Sequence, residues 1–135
     1  MANALYGKGR QKFLEGDIHW DTDNIKCVLV DAADYTVSIN VDEFLSAIAV
    51  AGRVATSANL GSKTTTLGVA DAADVTFSAV TGDQSEAVVI YLDTGDAATS
   101  PLIAYIDTAT GLPVTPNGGD IQIQWDSGAN KIFKL

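Results

Sequence analysis

A mainly β fold, either an antiparallel β-sandwich of jelly-roll type or a barrel, is the class this sequence predicts, and three observations predict it. Short segments rich in β-branched and aromatic residues recur along the chain, among them IKCVLVD, EAVVIYLD, PLIAYID and DIQIQW. The connections between such segments, including TGDQS, DTGDAATSP, TGLPVTPNGG and DSGAN, are turn-forming and too short for the helical crossovers of a parallel sheet. With 135 residues, 47% of them hydrophobic and 19% charged, the chain is that of one folded domain, able to bury about two thirds of its unfolded surface.

Residues 1–16 are expected to form an N-terminal helical arm and residues 17–135 a single β-sandwich domain. In ALYGKGRQKFLEG, Leu5, Tyr6, Phe13 and Leu14 lie near helical spacing and Gly16 supplies a stop. Gly7 and Gly9 each cost that helix about 1 kcal/mol relative to Ala. It therefore depends on packing against something else, for which another subunit is one candidate. A second short helix is predicted over NVDEFLSAIAVAG, where Asn40 and Glu43 have capping-box spacing, Phe44, Leu45 and Ile48 form a stripe, and Gly52 ends it.

The remaining segments read as strands: IKCVLVD, YTVSI, SKTTTLGV, DVTFSAV, EAVVIYLD, PLIAYID, DIQIQW and KIFKL. In DIQIQW, Ile121, Ile123 and Trp125 point one way while Gln122 and Gln124 point the other. Those glutamines suit either a solvated face or a hydrogen-bonded contact with a neighbouring chain. DAADYTVS at 31–38 recurs as DAADVTFS at 71–78, and each copy predicts an acidic turn followed by an alternating strand.

The net charge of −9 argues against a nucleic-acid partner, whose phosphates are tracked by basic surfaces. Lys8, Arg10 and Lys12 nevertheless give the first twelve residues +3, leaving −12 on the rest, so the head is expected to carry its own contact surface. No apolar run reaches the roughly 18 residues of a membrane span, and the N-terminus has no apolar signal block, so a soluble product made in the cytosol is expected. Cys27, the single cysteine, lies on the strand face of Ile25 and Leu29 and is expected to pack in the core.

Two apolar runs end on matching Tyr-x-Asp-Thr sequences, at Tyr91, Asp93 and Thr94 and at Tyr105, Asp107 and Thr108. Such acids are either a catalytic pair or the ends of two strands. Each is followed shortly by glycine, and Asp126 in WDSG repeats the pattern, which favours turn-capping carboxylates. Asp17, Asp21, Asp23, Asp31 and Asp34 lie close in sequence but lack the spacing of a calcium loop. A dyad of His19 with Cys27 is disfavoured by the inward turn of Cys27. GxSxG, a phosphate-cradling glycine loop and HExxH are missing. The expectation is a protein without catalytic residues, metal or cofactor.

ALYGKGRQKFLEGDIHWDTDNIKCVLVD, together with SPLIAYIDTATGLPVTPNGGDIQIQWDSGANKIFKL, resembles small virion structural proteins of tailed bacteriophages. Members of that family tend to begin with a Gly- and Lys-containing helix leading into a DNIKVxLVD-like strand. They end on a "PLIAYID…P…NGGDI…W…GIF" pattern, which this chain interrupts only at Ala129 to Lys131. The resemblance implies an assembly protein, foremost a capsid cement or decoration protein on the capsid exterior. It would act as a homotrimer bound to the major capsid protein, with no nucleic acid or membrane partner. The other role it implies is a tail- or fibre-associated accessory protein, with glycan affinity through an exposed Trp or Tyr. Docking is assigned to Lys8, Arg10, Lys12, Phe13 and Trp20, with Gln122 and Gln124 as a further contact. The competing assignment puts Phe13 and Trp20 in the core and leaves the cations solvated.

Overall fold

The computed structural model describes residues 3–135 and is mainly β. A five-stranded antiparallel sheet is built from β1 (Ala4–Leu5), β2 (Ile25–Val30), β3 (Arg53–Thr56), β6 (Ala87–Leu92) and β7 (Leu102–Ile106), in the order β1-β7-β6-β2-β3. Two ribbons complete the structure. One pairs β4 (Val69–Ala70) with β9 (Phe133–Lys134), and the other pairs β5 (Val75–Phe77) with β8 (Ile121–Ile123). The large sheet is open, with β1 and β3 at its edges, so of the two architectures expected the barrel does not form.

The three central strands are apolar on both faces, as their near-continuous hydrophobic runs require. Ile25, Cys27 and Leu29 of β2 join Val88 and Ile90 of β6 beneath the two ribbons, where Trp20, Phe77, Ile123 and Trp125 complete one core. Val28, Val30, Val89 and Tyr91 face the other way and are covered by Tyr6, Tyr35, Leu45 and Ile48. Past the end of β3, Ser57 continues the edge: its Oγ accepts the Cys27 N–H at 2.9 Å while its own N–H donates to the Cys27 carbonyl at 2.8 Å.

Helix α1 (Gly7–Leu14) ends where predicted. Gly16 adopts φ +78°, the Asp17 N–H donates to the Lys12 carbonyl and the Gly16 N–H to the Phe13 carbonyl, which together close a Schellman motif. The packing that its glycines call for is supplied by β7 of the same chain. A Cβ on Gly9 would lie 2.5 Å from the Leu102 carbonyl oxygen, so only glycine allows this approach. Tyr6 is fully buried and its N–H donates to the Ile103 carbonyl at 2.9 Å. The head is thus built into the sheet.

Residues 40–52 do not form the predicted α-helix; two 3₁₀ turns, Leu45–Ala47 and Val50–Gly52, take its place. Leu45 and Ile48 are buried as the stripe requires. Their stretch of backbone, however, bonds to the 97–101 loop, with the Leu45 N–H on the Ser100 carbonyl and the Ser46 N–H on the Ala97 carbonyl. YTVSI forms no strand either, and SKTTTLGV contributes only the start of β4 and a 3₁₀ turn at Thr66–Gly68. The two DAAD copies therefore diverge. The second leads into β5, whereas the first ends in irregular chain with Tyr35 turned into the core.

Candidate interaction surface

The side of the molecule where α1 meets β9 carries an apolar groove. Phe13 from α1, Trp20 and Phe133 form its inner wall, with the Phe13 and Phe133 rings 5.9 Å apart and Trp20 edge-on to Phe133 at 5.2 Å. Along its outer part, about 350 Å³ is bounded by Leu5, Phe13, Leu14 and Leu135, with Arg10 and Lys134 on the rim. Leu14 is 90% exposed and Leu135 59%, although both are large apolar side chains. Leu67, beside the groove residue Gly68, is 92% exposed and held at φ +56°, a conformation a bulky residue rarely adopts. Among the described residues, three of the five exposed large hydrophobic side chains thus sit at or next to one groove. Such clustering marks interaction surfaces in general, whereas scattered exposed leucines do not.

The predicted docking residues separate into groups. Arg10 and Phe13 lie on the groove itself. Trp20 is 4% exposed, its indole N–H donates to the Asp71 carbonyl at 3.1 Å, and it belongs to the floor, so its direct docking role gives way to the core assignment. Lys12 turns to the opposite flank of α1, where its ammonium pairs with Glu43 at 3.4 Å and lies 5.4 Å above the centre of the Phe44 ring. Lys8 is half-buried on the same helix and lines no part of the groove. Gln122 and Gln124 are exposed on and just beyond β8, facing outward as the alternation requires, and are also outside the groove. Leu14, Lys134 and Leu135 were not singled out for docking. In the ending KIFKL, alternation signals only Lys134, which points away from the buried Phe133.

The carboxylates do structural work. β6 and β7 are antiparallel with Val88 opposite Ile106, which puts Asp107 beside Ala87 and Asp93 at the far end of the pair. At about 3.3 Å per residue the two acids are about 20 Å apart, well beyond the about 5 to 9.5 Å of a glycosidase pair. Asp93 accepts the Gly95 N–H at 2.9 Å and pairs with Lys26 at 2.7 Å. The hydrogen bond from Lys26, with that from Gly95, holds its carboxyl below the usual range. Asp31, Asp96 and Asp126 likewise accept the N–H two residues on, from Ala33, Ala98 and Gly128. Asp107 is tied to the N-terminal strand by its N–H, which donates to Asn3 Oδ1 at 2.8 Å.

Among the described residues one group of acids could share a cation: Asp31 and Asp34 converge with Asp83, each offering an oxygen within 4.8 Å of the others. The sequence placed the first two with Asp17, Asp21 and Asp23; the fold instead brings in an acid from a distant turn. Cys27 is fully buried, and burial pushes its thiol upward, while His19 is exposed and beside Asp23. They do not meet as a dyad. No helix of the described residues is long and apolar enough to cross a membrane. Compared with known protein families and with curated proteins, the sequence matches none.

Proposed function

We propose that this chain is a structural protein of a tailed-bacteriophage virion, a cement or decoration protein bound to the major capsid protein on the outside of the shell. The observation that carries this reading is the groove between α1 and β9. It offers exposed leucines and cations that form no ion pair among the described residues, on a body whose acids cap turns and whose thiol is buried. The phage-like segments quoted above form the parts that build it, the Gly-Lys helix and the closing IF strand. The scaffold is read as a β-sandwich, the open sheet being one layer and the two ribbons the other. No catalytic step, metal or cofactor is assigned, and the partners are further copies of this chain, as a homotrimer, and the shell.

Such a protein works by linkage. It binds the assembled shell and not loose subunits, so each bound copy shifts the equilibrium towards the shell. The contact to the shell is expected to be polar and wet at its rim, where Gln122 and Gln124 offer donors and acceptors. The tail- or fibre-associated reading stays as the second one, without the glycan contact through an exposed Trp or Tyr, since both tryptophans and all four tyrosines are buried.

The test is to add purified protein to shells stripped of it and to measure occupancy and heat resistance. Saturable uptake with a raised disruption temperature is expected. Absence of uptake overturns the assignment.

A further inference from the structure

We infer that the groove between α1 and β9 is the donor half of a head-to-tail contact with a second copy of this chain, an inference that rests on the oligomeric reading above. Charge chooses the occupant. Arg10 and Lys134 stand at the rim without an ion pair among the described residues, in a chain whose remaining segments carry −12 once the first twelve residues are set aside. The surface most available to complement this cationic, apolar groove is the molecule's own acidic body.

Charge also chooses the symmetry. A two-fold axis through the groove would set groove against groove and bring Arg10 and Lys134 against the same cations of the other copy. Like charges so placed cost energy, so the groove meets a different patch, and the contact is heterologous. Heterologous contacts build rings when their rotation closes, which is the symmetry of a trimer.

The acceptor lies at the opposite edge of the sheet. The groove adjoins β1 through Leu5, whereas Asp31 follows β2 and bonds through its N–H to the Gly52 carbonyl just before β3. There Asp31, Asp34 and Asp83 converge, and Val50, 76% exposed, stands two residues before Gly52. This patch has the complementary character: negative charge around an exposed apolar side chain. A specific interface needs about 800 Å² from each partner, which is about an eighth of the 6553 Å² surface. The groove with its rim and the Asp34–Val50 patch are taken as the centres of two such areas.

The test is the mass of the full chain in solution, by sedimentation or light scattering over a concentration series. The native chain is expected to assemble, and to do so less at high salt, where screening shortens the reach of the charges. Arg10→Glu with Lys134→Glu is expected to weaken assembly about tenfold or more. Asp34→Lys with Asp83→Lys, at the other patch, is expected to do the same. Arg10 and Lys134 belong to the donor side and Asp34 and Asp83 to the acceptor side, and all four are exposed, so unfolding midpoints should stay near native. Carrying all four reversals in one chain should restore assembly, because every acidic groove then meets a basic patch. A native chain that remains single at every concentration overturns the inference, as do donor variants that assemble normally or a fourfold variant that does not. Uptake by stripped shells is scored separately: protein that stays single yet binds shells overturns this contact alone. Assembled protein that shells refuse overturns the capsid reading alone.

Discussion

On one face of the five-stranded sheet, Cys27, Leu29, Val88 and Ile90 meet the rings of Trp20, Phe77 and Trp125, carried by or next to two β-ribbons. On the other face, Val28, Val30 and Val89 meet residues 31–52, which form no strand and only two short 3₁₀ turns. The strands supply similar apolar side chains to both. What differs is how the cover is fixed. Backbone ladders and ring packing hold the first; the second hangs on polar anchors, chiefly a chain in which the Tyr6 and Tyr35 hydroxyls bond at 2.8 Å and Tyr35 donates to Asp42 at 2.7 Å. Asp42 also accepts the Ser38 N–H at 2.9 Å, tying the irregular segment down at its middle. An apolar sheet face therefore needs cover, and an irregular segment with satisfied hydrogen bonds serves as well as a ribbon.

The largest effect should come from the ribbon face. Phe77→Ala, at a residue 2% exposed, is expected to cost about 3–5 kcal/mol through lost transfer and a residual cavity, measured by urea unfolding with an unchanged slope. Tyr35→Phe on the loop face should cost about 1–3 kcal/mol, because the Tyr6 hydroxyl and Asp42 each lose a buried partner. Equal costs, or a larger cost for Tyr35→Phe, would break the comparison.

Alkali should sharpen it. Burial holds Tyr6, Tyr35 and Tyr105 above their ordinary value and pushes Tyr91 up to about 12. The folded chain thus keeps protons that the unfolded chain releases near about pH 10. Stability is full below that pH and falls as pH rises beyond it. Tyrosinate absorbance should appear together with loss of structure, and an early independent titration would show a loop face more open than described. The smallest effect concerns neither cover. The depressed carboxyl of Asp93 contributes stability above the ordinary Asp value that is lost as pH falls through its folded value. Asp93→Asn should flatten that acid limb and cost about 0.2–1 kcal/mol, since its pair with Lys26 is partly exposed.

The same contrast decides what could be read from the sequence. Ile25–Val30, Ala87–Leu92 and Leu102–Ile106 were legible because strands buried on both faces are written as unbroken apolar runs. β3 was missed because RVAT is an edge strand whose residues are half-buried or exposed. YTVSI and NVDEFLSAIAVAG misled for one reason. Tyr35, Leu45 and Ile48 are indeed buried, but the bonds that place these segments run to partners distant in sequence, such as Tyr6 to Tyr35 and Ser100 to Leu45, which no local period encodes. In the groove, Arg10 and Phe13 were legible from the charge and spacing of the head. Leu14 and Leu135 could not be assigned, since whether a leucine faces solvent depends on how α1 and β9 come together.

The absent side chain at Gly9 has a consequence beyond fitting the helix against β7. Main chain rests directly on main chain there, so one wall of the groove is seated without flexible side chains between it and the sheet. A partner arriving at that wall finds it already ordered and forfeits little configurational freedom in settling. Modest contact area can then yield a long-lived complex. Widening this seam should shorten its lifetime even though the altered atom touches no partner.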